Sequence, residues 1–96
     1  MKTLKKVEVQ PVYVEYIPET LEENKIYISK EYNTAIHLCL CGCKKLVVTP
    51  LNHRYMVHGW NLIEEHGKVS LSPSIGNFQY ECKSHYILTK NIANFV

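Results

Sequence analysis

The 96-residue sequence contains no aspartate, and all nine of its acidic residues are glutamate. That absence excludes a triad in which an aspartate orients a histidine. Any histidine base must be oriented by glutamate, an amide or a backbone carbonyl. It also disfavours metal sites built chiefly from carboxylate oxygens. A clustered basic face is missing too: the 11 basic residues are scattered apart from Lys2, Lys5 and Lys6, and the net charge is +2. A nucleic-acid partner is therefore not expected. No run of about 18 apolar residues could span a bilayer. The basic start MKTLKKVEVQPVYVEYIPE is interrupted by Glu8 and Glu15, so neither a signal peptide nor a membrane partner is expected. Repeats, linkers and low-complexity segments are absent as well, which leaves residues 1–96 to be read as one domain. The expected compartment is the cytoplasm, where clustered thiols serve as metal ligands or catalytic groups rather than disulfides.

What is present reads as mainly β, a compact domain of short antiparallel strands, with a small α+β arrangement as the alternative. Val7 and Val9 alternate with polar residues, and Val12, Val14 and Tyr16 do so in the opposite phase. Strands are predicted at 4–9 and 12–17, with a bulge or break at Gln10-Pro11 and edge positions because of Pro11. PETLEEN (18–24) predicts a short helical turn. Further strands are predicted at 25–29, 34–40 and 45–49, followed by a loop over 51–58. A hairpin then runs from 60–63 through the Gly67 turn to 68–72, and two final strands cover 85–89 and 92–96.

The stretch HLCLCGC, residues 37–43, holds one histidine and three of the four cysteines. In an extended strand, residues two apart lie about 6.8 Å from each other and residues four apart nearly 14 Å. Thiolates on one tetrahedral zinc must approach to roughly 4 Å. A straight strand cannot deliver all three, so the chain must bend, and Gly42 permits the bend. Cys39, Cys41 and Cys43 then form a knuckle whose fourth ligand is Cys82, holding a structural zinc that staples a small domain. His37 or His85 could replace one thiolate. If neither does, both histidines are pinned near the metal and are placed to act as a base.

In SLSPSIGN (70–77), Val69 and Leu71 face the core, while Pro73 and Gly76-Asn77 suggest that Ser74 stands in a turn. A serine there can project its hydroxyl beside backbone N–H groups of Ile75 to Asn77, the ingredients of a nucleophile with an oxyanion hole. The same residues are the ordinary vocabulary of turns. Ser84 is a second candidate.

HLCLCGC…KLVVTP, Gly59-Trp60-Asn61-Leu62, VSLSPSIGN and CKSHYIL, in that order across roughly residues 25–90, resemble a small bacterial family long known as a domain of unknown function. Its members are found in bacterial ubiquitination-like (Bub) operons. The resemblance implies a zinc-containing serine peptidase that processes or removes a ubiquitin-like modifier. Carried onto this sequence, it implies Cys39, Cys41, Cys43 and Cys82 as zinc ligands and Ser74 as nucleophile, with His85 or His37 as base. Glu81 is the nearest acid in sequence to orient His85. Lys44, Phe78 and Phe95 depart from the family pattern, and none is a proposed site residue. The expected partners are the ubiquitin-like protein and its conjugates. Two alternatives stand beside this: a non-catalytic zinc-binding adaptor for the modifier or its conjugating enzymes, and a zinc metallohydrolase.

Overall fold

The computed structural model describes residues 5–96. Among them are nine strands and no helix: β1 Lys6–Glu8, β2 Gln10–Tyr13, β3 Lys25–Ser29, β4 Thr34–Leu38, β5 Leu46–Pro50, β6 Asn61–Glu65, β7 Lys68–Gly76, β8 His85–Thr89 and β9 Ile92–Phe95. They form a five-stranded sheet, β1-β9-β8-β7-β6, and a four-stranded sheet, β2-β3-β4-β5. The first residue of the strand expected at 4–9 lies outside the described residues.

Period-two alternation builds the core between the sheets. From the smaller sheet come Ile26, Ile28, Ala35 and Val47, and from the larger Val69, Leu71, Ile75, Tyr86, Leu88 and Ala93, all buried. The phase change expected near Gln10-Pro11 falls at Val9, a buried residue where the chain leaves one sheet for the other. β2 then pairs with β3 in parallel, Gln10 opposite Lys25, whereas every other strand pair is antiparallel. A parallel neighbour requires a crossover, and residues 14–24 supply it. The helical turn expected at 18–24 does not form. Glu19, Glu22 and Glu23 are all exposed and Leu21 alone is partly covered, so the segment has no apolar face to dock a helix.

The turns follow local chemistry. The β6–β7 hairpin closes through His66 and Gly67, and β8–β9 through Lys90 and Asn91, each pair with positive φ. Asn91 also accepts the Val69 N–H through its side-chain oxygen at 2.8 Å, tying the second turn to β7.

The largest departure from the sequence reading is β7. It does not stop at Ser72 but continues through Pro73 to Gly76, so Ser74 stands in a strand and not in a turn. β6 pairs with β7 only as far as Asn61 opposite Ser72. The β7–β8 register shifts between Leu71 and Ile75, from Leu71 opposite Leu88 to Ile75 opposite Tyr86. Pro73 sits inside that irregularity, where its missing N–H breaks no ladder bond.

Candidate active site and metal centre

The cysteine knuckle begins where β4 ends. Cys39, the residue after β4, continues the inward-facing alternation of Ala35 and His37, and its N–H bonds the Lys45 carbonyl at 2.7 Å. The chain then reverses through Gly42, with φ of 99°, and Lys44, with φ of 63°. This bend brings Cys41 and Cys43 back toward Cys39, and the loop between β7 and β8 supplies Cys82. All four Sγ atoms lie within 4.8 Å of one another. Cys39–Cys41 is 3.4 Å, Cys39–Cys82 3.8 Å and Cys43–Cys82 3.7 Å. Sulfurs on one tetrahedral zinc stand about 3.8 Å apart. The donor set therefore fits a metal ion, and neither His37 nor His85 belongs to it.

Two thiols of the set differ in acidity. Burial pushes the Cys41 thiol up to about 12, whereas hydrogen bonds with Ser84 draw Cys82 down to about 6. Ser84, read from sequence as a second nucleophile, is buried and serves the sulfurs. Its Oγ is 3.1 Å from Cys39 Sγ and 3.4 Å from Cys82 Sγ. Beneath it lies a polar network that the sequence reading missed. The Asn77 side-chain amide donates to Ser84 Oγ at 3.1 Å and Tyr86 Oη at 3.3 Å, and lies 3.5 Å from Cys39 Sγ. Tyr86 Oη in turn meets His37 Nε2 at 2.7 Å, across the two sheets. The only signal in the sequence was an amide and a hydroxyl flanking the last cysteine, and that spacing carries little by itself.

His37 is thus a core residue. It is 1% exposed, its Nδ1 has no hydrogen-bond partner, and burial lowers its pKa to about 4. It makes no hydrogen bond to Ser74. His85 does: as the first residue of β8 it faces the outer side of the larger sheet, and its Nε2 lies 2.6 Å from Ser74 Oγ. The Phe78 ring leans on the imidazole, with centroids 5.5 Å apart. Phe78 also covers Gly76, where an added Cβ would sit 2.5 Å from the phenyl ring.

A serine hydroxyl on an imidazole nitrogen is the arrangement a histidine-activated nucleophile requires. The profile of the family described as "Bacterial ubiquitination-like system serine protease (BubE)" matches residues 13–96. The chain belongs to this family. No curated protein and no solved structure matches it. Membership accounts for the motif order noted in the sequence, and it makes the chain a member of a serine protease family working in a ubiquitination-like system.

Other expectations around this serine change. Among the described residues the ion pairs are Lys25–Glu22 and Lys30–Glu64, so Glu81 does not hold His85. The amides expected to form an oxyanion hole are mostly taken. The Asn77 N–H bonds the Ser84 carbonyl at 2.8 Å. Alternation along the ladder turns the Ile75 N–H toward Tyr86 as well, so of the three only the Gly76 N–H points away from β8. Trp60, from the Gly59-Trp60 motif, donates its indole N–H to the Ser74 carbonyl at 3.3 Å. An open groove of about 430 Å³ beside Ser74 is lined by Pro73, Ile63, Ile87 and Thr89 on the outer face of the larger sheet. Among the described residues no helix is long and apolar enough to cross a membrane.

Proposed function

We propose that this chain is a serine hydrolase that cleaves the bond following the C-terminus of a bacterial ubiquitin-like protein, releasing the modifier from a precursor or a conjugate. The observation that carries the reading is the 2.6 Å contact of Ser74 Oγ with His85 Nε2 in a member of a serine protease family. Ser74 is the nucleophile and His85 the general base. With its proton on Nδ1, His85 accepts the Ser74 hydroxyl proton at Nε2 as Oγ attacks the carbonyl, then returns it to the leaving group. The result is an acyl-enzyme, which water hydrolyses with His85 again as base. No aspartate exists to orient the ring, and the Phe78 ring and the strand position of His85 limit its motion instead. The Gly76 N–H, free of β8, is available to an incoming carbonyl.

Cys39, Cys41, Cys43 and Cys82 would hold a structural zinc, which when bound supplies cross-linking rather than a reactive water. Four clustered thiols form a closed ligand set, which favours this over the metallohydrolase alternative. The modifier and its conjugates are the partners in this reading, and the compartment is the cytoplasm.

The test is hydrolysis of a modifier–reporter fusion. Ser74→Ala, folded and metal-loaded, should lose activity by roughly 10⁴-fold or more, and His85→Ala similarly. His37→Gln should keep most of its turnover once folded. Turnover by Ser74→Ala at the wild-type rate would discard the assignment. Binding of the modifier without turnover in the wild type would leave the adaptor reading in its place.

A further inference from the structure

Two strand edges face each other at one side of the molecule with a gap between them. On β5, the bond from Cys39 N–H to the Lys45 carbonyl fixes the phase of the ladder. Lys45, Val47 and Thr49 turn their backbone groups toward β4, so Leu46, Val48 and Pro50 turn theirs outward. Two of the outward carbonyls have partners: Leu46 accepts the Tyr80 hydroxyl, and Pro50 accepts the Trp60 N–H at 2.8 Å. The Val48 N–H and carbonyl between them meet no partner among the described residues. On β7, the Asn77–Ser84 bond sets the phase, leaving the Gly76 N–H and carbonyl directed away from β8 and beyond the reach of β6. Here too no partner is present among the described residues.

The gap is framed in register. Trp60 links the Pro50 end of β5 to the Ser74 carbonyl, and Tyr80 links the Leu46 end to Asn77, through its own N–H to the Asn77 carbonyl at 3.1 Å. Both rings pack against the core and so form a floor. Above it lies a groove of about 230 Å³ lined by Leu46, Val48, Trp60, Ile75, Gly76 and Tyr80. The exposed side chains of Leu46 and Val48 form its apolar rim. Unpaired N–H and carbonyl groups on both walls are a template for another backbone. One end of the groove stops at the residue that holds Ser74.

We propose that this groove binds an extended polypeptide segment through its backbone, by addition to the free edges at Val48 and Gly76, and that the segment is the part of the substrate adjoining the bond Ser74 attacks. The inference rests on the serine-hydrolase reading above. Recognition is then largely independent of side chains at the residues paired with Val48 and Gly76. A folded surface cannot enter, because the groove is smaller than an ordinary ligand cavity, and only an exposed tail or loop can.

The experiment uses a fluorescent peptide covering the last residues of the modifier, and the same peptide with single backbone N–H groups methylated. Binding to the metal-loaded chain is read by anisotropy. Methylation of one or two N–H groups in the segment should weaken binding about tenfold, as expected for one or two lost hydrogen bonds. Val48→Pro, which removes an outward N–H and no β4 bond, should raise KM for the fusion by a similar factor. Labelling of Ser74 by a small fluorophosphonate should stay unchanged in that variant. Equal binding of all the methylated peptides overturns the groove even if Ser74 is labelled normally. Failure to label Ser74, with binding still sensitive to methylation, removes the catalytic reading and keeps the groove as a binding site. A chain that sediments as a dimer and becomes monomeric in Val48→Pro would assign the edges to a second copy and overturn the proposal.

Discussion

The side-chain amide of Asn77 meets Ser84 Oγ, Tyr86 Oη and Cys39 Sγ, and so touches the cysteine cluster and the core at once. Asn77→Ala would leave two buried hydroxyls and a sulfur short of a donor. A loss of about 1–3 kcal/mol in unfolding free energy is expected, measured by urea denaturation. Ser84→Ala removes the hydroxyl that holds Cys39 and Cys82. Zinc added to that variant should be held about 10- to 100-fold more weakly than zinc added to the wild type, read by competition with a chromophoric chelator. His37 carries a pH signature of its own. Its pKa is about 4 in the folded chain because burial disfavours the charged ring, against about 6.5 when unfolded. The unfolded chain therefore takes up this proton first. The stability contributed by the neutral ring is whole above pH 6.5 and is lost as pH falls toward 4, on the order of 3 kcal/mol in all. The slope of unfolding free energy in that window should be shallower in His37→Gln than in the wild type.

Among the elements, β7 divides into two parts with different duties. Its first half pairs on both sides and supplies Val69 and Leu71 to the core, while its second half pairs only with β8 and carries Ser74 and Gly76. The inward face of the first half was legible from Val-x-Leu alternation. The continuation past Pro73 was not, because proline ends regular pairing only where the ladder needs its N–H, and neighbouring strands decide that. The knuckle was legible for a stronger reason: thiolate spacing on one ion and strand geometry conflict, and Gly42 permits the bend that resolves it; the second positive φ, at Lys44, carried no such signal. Residues 51–58, expected as a loop, are largely that, and the hairpin strand expected from Trp60 begins instead at Asn61, leaving Trp60 to donate its indole N–H to the Ser74 carbonyl. Gly59 makes that contact possible, since a Cβ there would run into the Pro50 carbonyl oxygen. Gly59→Ala should displace Trp60 from both Pro50 and Ser74. A destabilisation of about 1–3 kcal/mol is expected, with a fall in turnover that outlasts correction for the unfolded fraction, measured by thermal melts alongside fusion hydrolysis.

For the whole molecule, the four-cysteine cluster is where the two sheets are tied together. Three cysteines follow β4 in the smaller sheet and the fourth precedes β8 in the larger. Adding zinc should therefore raise the melting temperature and protect the β7–β8 loop, with both reversed by a chelator, by calorimetry and amide exchange. The division of strands between sheets could not be read from the sequence. Short alternating strands mark a buried face and say nothing about which neighbour lies alongside, and the parallel β2–β3 pair joins segments that look no different from antiparallel ones. Of the candidate site, the convergence of the four cysteines was legible in the sequence. Which histidine meets Ser74 was not legible, because His37 and His85 sit on strands of different sheets and only the fold brings His85 to it.

The register shift in β7 has one further consequence, which concerns reach. His85 lies directly opposite Gly76, so Ser74 is its diagonal neighbour. Side chains directly opposed have Cβ atoms about 4.5–5.5 Å apart, whereas diagonal ones stand about 7–8 Å apart. An imidazole spanning a diagonal presents its far nitrogen, Nε2, to a short hydroxyl. Directly opposed, it would overshoot. Had the register before the shift continued, with Leu71 opposite Leu88, residue 74 would have fallen directly across from His85. The two extra residues in β7 thus act as a spacer that matches the length of one ring to the shortness of one serine.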